Sequence, residues 1–319
     1  MKLRGPLAVL ALLLLSTACS VGSSKPQASP GQTYATVNGV KITETQVNQR
    51  RHLIAFLSPS NASQLKGHTA VVQITDELVD ESLVAQAATK AKTKVPPTAV
   101  SNEENLLTQE VSSLYPTSKQ VQAAMKSNSV TQADLNAYAK LSALLQAYLQ
   151  KVVKTPTVPV SEIKSYYTAN QSQFKLPAQY DVRHILVKTQ SLAETIDKEV
   201  KADPSKFASL AKKYSIDTAS AKNGGDLGYA PLTNYVAAFA DAVKKLQVHQ
   251  ISPVVHSQYG YHVIELMGVK PASTEPLSQV SSEIQSYLSQ QNQQQAIQAY
   301  VQKLRTKGKV TVQVPKNAT

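Results

Sequence analysis

Three long stretches of the chain place apolar residues every three to four positions, and shorter ones near its middle alternate. Val71, Ile74, Leu78 and Val79 mark one face of a helix predicted over 68–93, and a second helix is predicted over 44–57. Leu135, Tyr138, Leu141, Leu145, Tyr148, Leu149 and Val152 mark another helix, with Thr131 as its cap. Leu277, Val280, Ile284, Tyr287, Leu288, Ile297, Tyr300, Val301 and Leu304 keep the same period through a glutamine-rich segment. That segment therefore reads as one amphipathic helix over 277–305 rather than a low-complexity tail.

Local punctuation sets the boundaries. Val37 and Val40 flank Asn38-Gly39, a hairpin signal. Thr43-x-x-Gln46 forms a capping box that opens the first helix. Val95-Pro96-Pro97 stops the helix over 68–93, Ser101-x-x-Glu104 opens the next, and residues 155–159, "TPTVP", make a second break. A further helix, roughly 161–171, carries Ile163, Tyr166 and Tyr167.

From Tyr180 the period changes. "YDVRHILVK" reads as a strand, "SLAETIDKEV" and "PSKFASLAKKY" as helices, and "NYVAAFADAVKKL" as a third helix. "SPVVHS" and "GYHVIELMGV" read as strands joined by a short turn. The result is a compact α+β unit, 177–271, set between helical segments. Glycine is scarce, with 11 in 319 residues, yet Gly224, Gly225 and Gly228 cluster in "AKNGGDLGYAP". That stretch reads as a sharp turn in which Asp226 shapes the backbone.

The first residues alter the picture of where the chain works. Lys2 and Arg4 precede an apolar run, Leu7–Leu15, too short to span a membrane, and small residues lead to Cys19, the single cysteine. A lone cysteine forms no internal disulfide. Residues 1–18 read as a secretion signal and 19–33, rich in Ser, Pro and Gly, as a flexible tether. The stretch resembles a bacterial lipobox, with Ser16 where leucine is usual. That resemblance implies lipid on Cys19, anchorage to a membrane, and a position on its extracytoplasmic face. The net charge of +12 suits an anionic membrane face or wall polymer. No basic run with interleaved aromatics occurs, so nucleic acid is not expected as a partner.

Three ionisable residues in the α+β unit draw attention: His184 within "VRHILV", Asp217 within "YSIDTAS", and His262 within "GYHVIEL". Taken singly, a strand histidine is most often a satisfied core residue. Two His and one Asp also allow zinc, although no close ligand pair such as H-x-x-x-H is present. A Ser-His-Asp hydrolase is a further alternative, without a G-x-S-x-G elbow.

"HILV", "DTASAKNGGDLGY", "FADAVKKLQVHQISPVV" and "YGYHVIEL", in that order, resemble the parvulin-type peptidyl-prolyl isomerases. The flanks "YATVNG" and "VSEIKSYYTANQSQF", with the C-terminal helix, resemble the PrsA-like and SurA-like foldases. The resemblance implies an α+β chain. A parvulin-type isomerase domain (177–271), a small antiparallel sheet with surrounding helices, is inserted between parts of a mostly α-helical chaperone-like domain (34–176 and 272–319). It implies His184, Asp217 and His262 as catalytic residues, the histidines bonded to each other and Asp217 setting the electrostatics near the rotating carbonyl. Leu227, Tyr235, Phe239 and Ser257 are implied as substrate-binding. Tyr235 stands where Met is common, and Arg183 where a small residue is usual. The basic loop of phosphate-directed parvulins is missing after Lys188, so phosphoprotein specificity is not expected. The implied partners are unfolded or newly exported polypeptides with X–Pro bonds. No cofactor or metal is implied, and a homodimer stays open. A holdase chaperone that uses the isomerase fold only for binding is the rival function.

Overall fold

The computed structural model describes residues 31–318, so the lipobox, Cys19 and most of the tether lie outside the described residues. The chain opens with a hairpin, β1 (Thr33–Val37) and β2 (Val40–Thr43), followed by α1 (Glu44–Leu57), α2 (His68–Lys90), α3 (Pro97–Leu114), α4 (Ser118–Ser127), α5 (Gln132–Val152) and α6 (Val160–Ala169). Next come β3 (Lys175–Leu176), β4 (Gln179–Val187), α7 (Gln190–Ala202), α8 (Phe207–Tyr214), the one-turn α9 (Thr218–Ala221) and β5 (Asp226–Pro231). After these lie α10 (Ala237–Val243), β6 (Val255–Ser257), β7 (Gly260–Lys270), β8 (Ser273–Thr274), α11 (Leu277–Lys307) and β9 (Val310–Val312).

These elements fall into two compact units. One spans 161–282; the other joins residues up to 160 with those from 283 onward. The first unit is wider than 177–271. Tyr167 stacks at a tilt on Phe174 and donates a hydrogen bond to the Glu275 carbonyl, and β3 pairs with β8, which ties the flanks to it.

In the helical unit, local sequence starts the helices. Thr43 with Gln46, Thr117 with Gln120 and Thr131 with Asp134 each form a capping box, satisfying backbone N–H groups that the first turn leaves free. The box at Thr117 opens a helix that the apolar pattern did not reveal. The helix expected to open at Ser101 begins instead at Pro97. Proline there loses no helical hydrogen bond, and the Ser101 hydroxyl donates back to the Pro97 carbonyl. The core between hairpin and helices includes Val37, Val47, Phe56, Ile74, Val79 and Leu135. A second cluster sets Val84, Ala88, Leu145, Tyr148 and Leu149 against Ile297, Tyr300, Val301 and Leu304 of α11. Arg305 pairs there with Asp76 and Asp80. Buried Arg50 and Glu81, 3.0 Å apart, join α1 to α2; burial pushes the Glu81 carboxyl up to about 7 against the pull of Arg50.

The 161–282 unit is built on an antiparallel sheet of order β5-β4-β7-β6. The stretch at 226–231, expected as a turn, is its edge strand β5. Ile185, Val187 and Val263 pack under Ile196, Phe207 and Leu210 of the two helices after β4. Val182, Ile264 and Leu266 pack with Phe239 and Val243 of α10. The α10 helix is shorter than its sequence suggests, because residues 232–234 form a 3-10 turn and Tyr235 stays extended.

Candidate active site

The register of the two central strands creates the site. On β4 and β7, His184 faces Ile264 and Leu186 faces His262, so the two histidines are diagonal neighbours. Their Nδ1 atoms lie 3.2 Å apart and their rings stack at 5.4 Å. Asp217 caps α9 and sends Oδ2 to within 2.8 Å of His184 Nε2. Ser257, on β6, brings Oγ to within 2.7 Å of His262 Nε2.

These contacts form a continuous hydrogen-bonded chain. A carboxylate only accepts, so His184 donates from Nε2 to Asp217. His184 Nδ1 and His262 Nδ1 share one hydrogen bond, and His262 Nε2 shares another with the Ser257 hydroxyl. Ser257 Oγ accepts in turn from the Tyr259 backbone N–H. Burial first, then the neighbouring His184, hold His262 down at about 4, so its ring is neutral near pH 7. Burial pulls the Asp217 carboxyl up, but hydrogen bonds from Ser220 and His184 outweigh it and leave the group below the usual range. Every ring nitrogen is engaged within the chain. That suits a rigid hydrogen-bonded core and leaves no lone pair for a metal; among the described residues no cluster of three or more His, Cys, Asp or Glu is placed to hold one.

The apolar side of the site is aromatic. Phe239 sets its ring edge-on to both histidines, 5.7 Å from His184 and 5.4 Å from His262. Tyr235 stacks on Phe239 at 4.8 Å. Phe239 is buried, whereas Tyr235 and Leu227 are half-buried and pack on the same cluster. Ser257 is buried and its hydroxyl is engaged by His262. Arg183 points away from this cluster, pairing with Glu265 at 2.8 Å and lying over the Phe207 ring.

The glycine pair has a different role from a simple sharp turn. A Cβ at Gly225 would stand 2.3 Å from the His184 carbonyl oxygen, and one at Gly224 would stand 2.8 Å from Ala208 Cβ. Both residues have positive φ, 86° at Gly225 and 74° at Gly224. The Gly225 carbonyl accepts the His184 backbone N–H at 2.8 Å, so the loop is docked onto the strand that carries the histidine. Asp226 does bend the backbone, accepting the Gly228 N–H at 2.8 Å. Sequence reasoning missed Gly225 as an anchor of His184, and Ser220 as a partner of Asp217. The double glycine was the available clue to the first, and the Asp217-x-x-Ser220 spacing to the second.

Residues 158–282 match the family model of the PPIC-type peptidyl-prolyl isomerase domain, and residues 4–149 match that of the SurA-like N-terminal domain. A Bordetella bronchiseptica protein named "Probable parvulin-type peptidyl-prolyl cis-trans isomerase" is 30% identical over 280 residues, covering 88% of this chain and 92% of its own. The foldase protein PrsA of Clostridium botulinum, strain Langeland, is 28% identical over 325 residues, covering 97% of this chain and 96% of its own. A solved structure reported for SurA-like chaperones of Campylobacter jejuni is 24% identical, covers 88% of this chain and 100% of that one, and has a TM-score of 0.48.

The chain belongs to the parvulin-type peptidyl-prolyl cis-trans isomerases and catalyses isomerisation of X–Pro peptide bonds. Its isomerase domain is fused to a SurA-like helical domain, the arrangement of the PrsA-type foldases.

Proposed function

We propose that this protein is a membrane-anchored, extracytoplasmic foldase. The 161–282 unit turns X–Pro bonds in newly exported polypeptides, and the helical unit holds those polypeptides while they fold. The observation that carries the isomerase assignment is the chain Ser257–His262–His184–Asp217 set against Tyr235, Phe239 and Leu227.

An X–Pro bond rotates over a barrier of ~18–20 kcal/mol, because twisting it breaks amide resonance. No bond is made or broken, so the enzyme has only to favour the twisted amide over both planar forms. Leu227 and the Tyr235–Phe239 stack hold the proline ring in an apolar setting. The twisted amide has a smaller dipole than the planar one, so leaving water costs it less. His262, neutral near pH 7 and hydrogen-bonded at both ring nitrogens, adds no charge beside this surface that would favour the planar, more dipolar amide. Asp217 acts through His184: it fixes the tautomer and orientation of that ring.

Replacing Asp217 by Ala in the full chain is expected to slow isomerisation of short X–Pro peptides about tenfold or more, the equivalent of ~1.4 kcal/mol or more at the transition state. The Asp217 side chain is only 26% exposed, caps α9 and accepts from buried His184 and Ser220. The substitution should therefore also cost about 1–3 kcal/mol of stability, and turnover is read at a temperature where the variant is folded. A folded Asp217→Ala protein with wild-type turnover removes Asp217 from the mechanism. A wild-type protein that suppresses client aggregation yet turns over no X–Pro peptide is a holdase instead.

Anchorage rests on the sequence around Cys19. Metabolic labelling with a tagged fatty acid should mark the wild-type chain and not Cys19→Ala; equal labelling of both overturns it.

A further inference from the structure

A trough of about 950 Å³ runs along the helical unit between β2, α2 and α5. One wall is the edge strand β2, which stands outermost in the order β2-β1-β9. Asn38 and Gly39, at φ 50° and 89°, make the two-residue turn before it. In such a hairpin the closing pair, Val37 and Val40, exchanges hydrogen bonds, and the next pair, Thr36 and Lys41, turns its backbone groups outward. On β1 the outward side is taken, since Thr36 faces Thr311 of β9. On β2 it is open, because among the described residues no strand lies beyond it, and Lys41 lines the trough.

The trough is apolar inside and basic at its rim. Val40 is 43% exposed, and Leu141 and Leu144 are half-buried. Lys41, Lys90 and Lys140 are exposed around it. Among the described residues its single acidic lining residue, Glu81, is buried and committed to Arg50. Backbone pairing groups, an apolar floor and lysines together suit an extended polypeptide and suit a compact small molecule poorly.

We infer that this trough binds an extended segment of unfolded client, added as a strand to the β2 edge through Lys41, with apolar side chains on Leu141 and Leu144 and acidic residues at its flanks. This deepens the reading of the helical unit as the client-holding part and rests on it. Lys41 N–H donates to the client carbonyl, and the Lys41 carbonyl accepts the client N–H. Two such bonds give register without sequence preference, and the three lysines supply the preference for acidic flanks. The short edge limits backbone pairing to this residue, because the Thr43 N–H is already donated to Gln46 Oε1. Binding is therefore weak and reversible, as a chaperone requires.

The test uses the full chain and three short fluorescein-labelled peptides. All have a Val-Thr alternating centre; one has Asp-Glu flanks, one Lys flanks, and one Asp-Glu flanks with N-methylated central amides. Expected are preference for the acidic flanks, loss of binding on N-methylation, and slowed hydrogen exchange at the Lys41 amide with bound peptide. Lys90→Glu/Lys140→Glu should weaken the acidic peptide about tenfold and strengthen the lysine peptide. X–Pro turnover on short peptides should be unchanged.

If the double variant binds the acidic peptide as the wild type does, or Lys41 gains no protection, the inference fails. Aggregation suppression by the same two proteins separates the readings. Suppression retained without trough binding places the clients elsewhere on the chain, and suppression absent in the wild type removes the client-holding reading as well. Protection of Lys41 in the free chain that grows with protein concentration makes the edge a self-association surface and likewise overturns the inference.

Discussion

Gly225→Ala is expected to cost about 2–5 kcal/mol of stability in the isomerase unit and to lower turnover about a hundredfold. Two terms add. A residue other than glycine at φ 86° pays left-handed strain of about 1–2 kcal/mol. The new Cβ would also meet the His184 carbonyl oxygen at 2.3 Å, a backbone atom that cannot swing aside, and such overpacking costs typically ~1–3 kcal/mol. The loop carrying Asp217, Ser220 and Leu227 must then lift from β4, and His184 loses the acceptor of its backbone N–H. Displacement of reacting groups by about 1 Å is enough for a hundredfold loss. Gly228→Ala is the control. Its φ of 65° brings the same strain, but a Cβ there meets nothing within 4 Å. It should be destabilised by the strain alone and keep most of its turnover. Urea unfolding and an X–Pro peptide assay on both variants decide the matter. Equal behaviour of the two would show that the close approach to His184 is unimportant.

Ending the chain after Ser282 is expected to unfold the helical unit while the 161–282 unit stays folded and active. The truncation removes Ile297, Tyr300, Val301 and Leu304 from the cluster around Leu145 and Leu149, and Arg305 from Asp76 and Asp80. It also removes the Tyr148–Tyr300 hydroxyl contact at 2.5 Å and strand β9 from β1. The four side chains are partly buried, and at about half of the ~1.5–3 kcal/mol for full burial they amount to about 3–6 kcal/mol, before the ion pairs and β9 are counted. Domain stability is itself only ~5–15 kcal/mol. Hydrogen exchange should therefore show α2 and α5 unprotected, with β4 and β7 still protected. Unchanged protection of α2 and α5 would show that the two pieces of the helical unit fold independently.

Much of the helical architecture was legible because its causes are local. Thr43 with Gln46, and Thr131 with Asp134, each place a hydroxyl and a partner three residues apart, and the first turn of helix reads them directly. The 3.6-residue spacing of Ile297, Tyr300 and Leu304 outweighed the glutamine-rich composition around them, and α11 runs through that segment. Thr117 with Gln120 carries the same code as the other two boxes, but its helix buries no residue fully, so no apolar face announced it. Ser101 misled for the reverse reason: Pro97 had already supplied the helical φ four residues earlier.

The sequence by itself determined which residues could belong to the site and where most helices begin, since both follow from side-chain type and near-neighbour spacing. Tertiary structure alone decided what those residues do. His184 and His262 are 78 positions apart and meet only because β4 and β7 pair in one register; a slip by one residue would send one ring to the opposite face. The strands β5 and β9 have too short or too irregular a pattern to declare themselves, and exist because β4 and β1 offer unpaired edges. The glycine pair read as a turn until the His184 carbonyl came within reach of Gly225, because a steric limit between two segments 41 positions apart has no trace in local spacing. Pairing energy between distant strands selected one partner for each ring nitrogen, and that selection made a hydrogen-bonded chain out of four separate residues.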